Sequence, residues 1–170
     1  MKLSAVFLIV FFAALAAANA PFARAQDARK TSEDWQTFPY ALGGGIETNM
    51  NAREGWAVGF GAAADRHITK YLTAGLRGMM TTQEGIISTE AWLFARLYVF
   101  KMGAGGAFTQ LGGGISFFQE EDRRPTSFLL EYSAGYRYFF LRGFYAEAAV
   151  RMGFPFQWGL GLTAGHWFNF

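Results

Sequence analysis

The chain has no cysteine. That excludes a disulfide framework, a thiolate metal site, a cysteine nucleophile and a lipid anchor on an N-terminal cysteine. It has only two histidines, His67 and His166, which leaves little material for general acid–base chemistry. Beyond the first twenty-five residues it also lacks any run near the ~18 to 20 consecutive apolar residues of a spanning helix. Yet 52% of the chain is hydrophobic and 18% aromatic. Such residues must be distributed by a period, and the period decides the fold.

The one long apolar stretch is at the start. Lys2 is followed by Leu3 to Ala18 without a charge, a span suited to a secretory leader. Two A-x-A sites follow, Ala18-Asn19-Ala20 and Ala23-Arg24-Ala25. The first would put Pro21 directly after the cut, so cleavage is expected after Ala25, with a retained anchor as the alternative. The whole chain carries 15 Lys+Arg against 13 Asp+Glu. Taking away Lys2 and Arg24 leaves 13 against 13, so the exported chain is formally neutral. It lacks the basic footprint that nucleic-acid binding requires.

After the leader comes a polar arm at 26–37, QDARKTSEDWQT, and from Phe38 onward the period is two. Phe144, Ala146, Ala148, Val150, Met152 and Phe154 alternate with Tyr145, Glu147, Ala149, Arg151 and Gly153. That is strand alternation with no helical stripe. Phe128 to Phe140 repeats it, and six further segments behave alike: Tyr40 to Thr48, Trp56 to Asp65, Thr69 to Thr81, Ser88 to Phe100, Ala104 to Gln119 and Trp158 to Phe170. The expected fold is all-β, an eight-stranded antiparallel up-and-down barrel in one domain, 38–170. The connectors at Arg66–Lys70, Lys101–Gly103 and Leu141–Gly143 read as tight turns. Those at Asn49–Glu54, Thr82–Ile87 and Gln119–Thr126 read as longer loops, the asymmetry of a membrane barrel whose termini are periplasmic, from which only the short link at Pro155–Gln157 departs.

A lipocalin-type barrel would share the alternation, so the outer solvent needs a separate argument. One face of the strands carries Leu72, Ala74, Leu76, Met80, Leu93, Leu97, Leu160 and Leu162 and no charge. The other holds Glu47, Arg77, Glu90, Arg96, Glu131, Arg137, Glu147 and Arg151. The charged face is also rich in glycine (Gly43, Gly45, Gly59, Gly61, Gly112, Gly114, Gly159, Gly161). A wet outer surface has no need of small residues, whereas the interior of a small barrel does. Aromatics crowd both strand ends, from Tyr40, Phe140 and Phe144 at one to Trp56, Phe128 and Trp158 at the other, as interfacial girdles do. The barrel is therefore expected to be transmembrane, apolar side out.

The last eight residues, TAGHWFNF, resemble the C-terminal assembly signal of bacterial outer-membrane barrels, with Thr163, Gly165, Phe168 and Phe170 at its four defined positions. More broadly, the chain from Tyr40 resembles the OmpX-, OmpW- and OmpA-transmembrane-like families, and DRHITKYLTAGLRG (Asp65 to Gly78) is similar to their turn-and-strand phrase. The resemblance implies outer-membrane localisation, outer-membrane lipids as surroundings and recognition by the barrel-assembly machinery.

The four Glu and four Arg of the inner face are expected to pair into a network that fills the lumen. Hairpin arithmetic sets Arg137 opposite Glu147, puts Glu131 one diagonal step from Arg151 and places Arg77 near Glu90. Cross-strand pairs of opposite charge stabilise a sheet, and eight strands enclose little beyond their own side chains. A sealed structural or surface-exposed barrel is the leading expectation, its loops free to meet an environmental or host ligand. A narrow channel for small or apolar solutes is the second, and a lipid-modifying enzyme the third. His67 is expected in a periplasmic turn and His166 at the lipid face. The loop cluster Glu120-Glu121-Asp122 is offset by Arg123 and Arg124 and reads as solvated. No catalytic residue, cofactor or metal is expected, and the protein is expected to be monomeric.

Overall fold

The computed structural model describes residues 40–51, 55–83, 85–99, 105–119, 125–140, 143–156 and 158–168. The expected leader (1–25), the polar arm (26–37), the Glu120–Arg124 cluster and Phe170 lie outside them. Eight strands follow in order: β1 Tyr40–Asn51, β2 Gly55–His67, β3 Leu72–Gln83, β4 Ile86–Tyr98, β5 Gly105–Gln119, β6 Thr126–Phe140, β7 Phe144–Phe154 and β8 Trp158–Phe168. Each pairs antiparallel with its sequence neighbours, and β1 also pairs with β8 to close the barrel. Closure leaves no sheet edge, the condition that hydrocarbon imposes on a spanning sheet.

The period-two pattern turns directly into two surfaces. On β4, Trp92 is 3% exposed and its neighbour Leu93 71%. Leu42, Ile46, Phe60, Leu76, Leu111 and Leu162 stand outward, where a lipid environment makes their exposure favourable. The eight charged residues assigned to the inner face are all buried inside. Aromatic pairs mark the two ends. Tyr40 stacks on Phe168 at 6.5 Å and Phe140 on Phe144 at 6.5 Å near the termini. Trp56 meets Trp158, and Phe128 meets Phe154, each at 5.0 Å, at the far end.

The inner glycines make room for rings on the adjacent strand. A Cβ at Gly75 would come 2.6 Å from Phe94 Cζ, and one at Gly135 would come 2.8 Å from Phe108 Cζ. Gly43 and Gly165, opposite each other, both lie against the Tyr145 phenol.

The expected asymmetry of connectors is overturned. Strands β1 and β2 continue to Asn51 and Gly55, and β3 and β4 to Gln83 and Ile86, so the far-end links are only 52–54 and 84–85. The link 155–157 is equally short, and 120–125 is the longest at that end. The polar residues at these positions reach the end of the barrel in paired strand, and Gly55 and Gly85 (φ 84° and 89°) turn the chain where an L side chain would be strained. At the terminal end, 68–71 forms a built turn instead of the start of β3. The Thr69 hydroxyl accepts the amides of Tyr71 (3.2 Å) and Leu72 (3.0 Å), and Ile68 N–H donates to Leu72 O at 2.9 Å.

Candidate functional site

The chemistry-bearing residues converge in the lumen, because every second residue of every strand points there. Two chains of contacts cross it. One begins at Asp65 on β2, whose carboxylate accepts from Arg137 Nη2 on β6 at 2.9 Å. Arg137 Nε donates to Glu147 on β7 at 2.8 Å. Glu147 also receives a forked pair from Arg96 on β4, at 2.7 and 3.0 Å. Arg96 donates in turn to the Gln110 carbonyl on β5 at 2.8 and 3.0 Å, and the Gln110 amide donates to Glu131 at 2.9 Å. The other chain joins Arg77 to Glu47 (3.0 Å), Glu47 to Arg151 (3.1 Å) and Arg151 to Glu90 (3.0 Å).

These groups are 8% exposed or less, so the pairs have little water to screen them. Planar rings support the guanidinium groups. Arg96 lies 4.0 Å from the Phe108 centroid and Arg137 4.1 Å from that of Tyr145. Arg77 and Arg151 flank Trp92 at 5.4 and 5.2 Å. Desolvated cation–π contacts add to the ion pairing.

The structure brings Arg137 and Glu147 together directly opposite one another. It does not pair Arg77 with Glu90. Glu90 stands opposite Met79, and each of the two finds its ion partner across the lumen, Arg77 at Glu47 and Glu90 at Arg151. Glu131 is near Arg151 in register, with Arg151 opposite Ser133, but its hydrogen bond is to Gln110. Nor is the inventory balanced, because Asp65 joins the four Glu and makes five acids against four Arg among the described lumen residues. Its signal was available: Asp65 shares the odd-numbered face of β2 with Gly59 and Gly61. Gln110 carries no charge, and only its inward parity could have marked it.

His67 is not in a turn. It is the last residue of β2, 7% exposed, with its ring stacked on Tyr98 at 5.9 Å and edge-on to Trp167 at 4.6 Å. Together with Phe139, 4.5 Å from Trp167, these rings cap the terminal end of the lumen. His166 stands on the outer face, its ring 4.6 Å from Phe144. Neither histidine has a carboxylate hydrogen-bond partner among the described residues. Among those residues, too, no group of three or more His, Asp or Glu could hold a metal ion.

Three of the four residues of the C-terminal motif are described, and each has a place in the closing seam. Thr163 stands opposite Gly45 and Glu147, Gly165 opposite Gly43 and Tyr145, and Phe168 opposite Tyr40.

A closed eight-stranded up-and-down barrel, apolar outside and ion-paired within, is a transmembrane β-barrel. Its solved structural relatives are of that kind. The N-terminal β-barrel domain of Pseudomonas aeruginosa OprF matches with a TM-score of 0.63 at 15% identity, over 77% of this chain and 98% of that one. Neisserial surface protein A matches at 0.58 and 13% identity, over 77% and 96%. Ail, the attachment invasion locus protein of Yersinia pestis, matches at 0.50 and 11% identity, over 76% and 97%. At these identities the likeness is one of fold. Neither a protein-family profile nor a curated protein matches the chain.

Proposed function

We propose that the protein is a small bacterial outer-membrane barrel with a structural or surface-exposed role, whose lumen is sealed by its Glu/Arg/Asp network. In this reading the leader 1–25 is removed after Ala25, both termini are periplasmic, and the barrel-assembly machinery reads the motif of Thr163, Gly165, Phe168 and Phe170. The barrel stands as a monomer among outer-membrane lipids. The observation that carries the sealed lumen is the Asp65–Arg137 ion pair, which joins β2 to β6 across the ring of strands. The short links at 52–54, 84–85 and 155–157 favour a structural role over a broad adhesive surface. The placement of His67 and His166 supports a non-catalytic role.

Planar-bilayer conductance of the folded protein tests the reading. A silent wild type at neutral pH is expected. Reproducible steps in the wild type that change with Glu47→Gln or Arg77→Gln would overturn the sealed lumen and establish a narrow channel lined by the network.

A further inference from the structure

We propose that the outer face of β8, β1, β2 and β3 binds one anionic glycerophospholipid, with its phosphate on Arg66 and Lys70 and an acyl chain in an adjoining trough. The leaflet that supplies it rests on the periplasmic termini proposed above; the chemistry of the site does not.

The strand register builds the trough. Ala146 stands opposite Ala164, Ala164 opposite Gly44, Gly44 opposite Ala62, Ala62 opposite Gly78, and Gly78 opposite Ala91. Six neighbouring strands thus put a small residue in one continuous row that runs obliquely across the lipid face. Large side chains rise on either side, with Phe144, Leu42 and Leu76 toward the termini and Leu162, Ile46, Phe60 and Met80 away from them. The resulting cavity is about 780 Å³ and is lined by Leu42, Gly44, Ala62, Leu76, Phe144 and His166 among others. A methylene chain fits a narrow apolar furrow, and dispersion along its length holds it there.

Charge names the headgroup. On β2 the outward residues Ala62, Ala64 and Arg66 run from the trough toward the terminal end of the barrel. The Arg66 guanidinium lies over the Tyr40 ring at 5.4 Å, and Lys70 in the next turn lies over Tyr71 at 4.8 Å. Both cations are exposed, and neither meets a carboxylate among the described residues. A second copy of the chain fits less well. Two barrels inserted in the same orientation would bring these cations to the same level on both sides of the contact.

The test uses the full protein in phosphatidylcholine nanodiscs holding one barrel each, doped with spin-labelled phosphatidylglycerol or spin-labelled phosphatidylcholine. The motionally restricted fraction should favour phosphatidylglycerol by about fivefold for each cation engaged. Arg66→Gln with Lys70→Gln should remove the preference and leave the restriction. Ala62→Leu, a change on the lipid face that heat-modifiable migration on a gel would show to be folded, should remove the preference for phosphatidylglycerol with both cations still in place. Equal restriction of the two lipids in the wild type, or a preference that survives Ala62→Leu, overturns the proposal. So does energy transfer between barrels in larger discs that Ala62→Leu abolishes, since the trough would then belong to a second copy. A conducting wild type would overturn the sealed lumen without altering these spectra.

Discussion

Asp65 and Arg137 meet at 2.9 Å although they stand on β2 and β6, four strands apart whichever way the ring is counted. Their contact ties opposite walls of the barrel together, and Arg137 is shared with Glu147 at 2.8 Å. Removing one member of a buried ion pair leaves an uncompensated charge and typically costs ~3 to 5 kcal/mol. Arg137→Ala should lower stability by about that amount in equilibrium urea unfolding of the detergent-folded barrel. Adding Glu147→Ala should not restore it, because Asp65 and Arg96 are then both left short of a partner. Full rescue in the double variant would mean that the cross-lumen contact contributes nothing.

Glu131 differs from the other lumen acids in having no guanidinium partner among the described residues. Its Oε1 accepts from Gln110, and its Oε2 has no hydrogen-bond partner there. Glu131→Gln keeps an acceptor for Gln110 and removes an unbalanced charge, so its effect on stability should stay within about 1 kcal/mol, the net worth of a neutral hydrogen bond. Glu147→Gln removes the charge that holds both Arg96 and Arg137 and should cost ~3 kcal/mol or more. The two variants compared by urea unfolding under one set of conditions decide the matter. Equal losses would mean that Glu131 is bound into the network as firmly as Glu147.

Glycine serves opposite purposes on the two faces of the sheet. Inside, a Cβ at Gly135 would sit 2.8 Å from Phe108 Cζ and closer still to the Ala148 carbonyl oxygen. Outside, a Cβ at Gly44 would meet nothing nearer than the Gly61 carbonyl oxygen at 3.7 Å. Gly135→Ala should therefore cost ~1 to 3 kcal/mol through overpacking, and Gly44→Ala should be close to neutral. Phe108→Leu should recover part of the Gly135→Ala loss by clearing the ring. No recovery would place the strain in the backbone contact alone.

Much of the barrel was legible in the sequence because a strand's period is two and its inner and outer faces have different solvents. Alternation in Phe144–Phe154 alone fixes which of Glu147 and Val150 faces the lumen. Hairpin arithmetic reaches one step further, to Arg137 and Glu147, since the two strands are joined by a short turn. It fails beyond that. Arg96 and Glu147 are 51 residues apart, and Asp65 and Arg137 are 72 apart. Only closure of the ring brings such residues together, and long side chains in a narrow lumen choose partners across it as readily as along it. That is why Arg77 goes to Glu47 and not to the nearby Glu90. The links misled for a related reason. Polarity at Asn49–Asn51 or Gln83 signals the end of the apolar environment, whereas the hydrogen-bonded ladder continues to the end of the barrel.

The β3–β4 hairpin offers the cleanest test of that correction. Only positions 84 and 85 lie between Gln83 and Ile86, and Gly85 has a φ of 89°, with no heavy atom within 4 Å of the place a Cβ would take. A side chain at 85 thus meets no steric obstacle, and any loss must come from holding an L-residue at positive φ. Gly85→Ala should cost about 1 kcal/mol, and Gly85→Asn clearly less, because asparagine tolerates the left-handed region. A longer, relaxed loop at Thr82–Ile87 would absorb either change. Urea midpoints for the two variants that are equal to each other and to the wild type would therefore reinstate the longer loop that polarity alone suggests and sink the tight hairpin. A graded loss, alanine worse than asparagine, fits a turn held in place by the ladder on both sides.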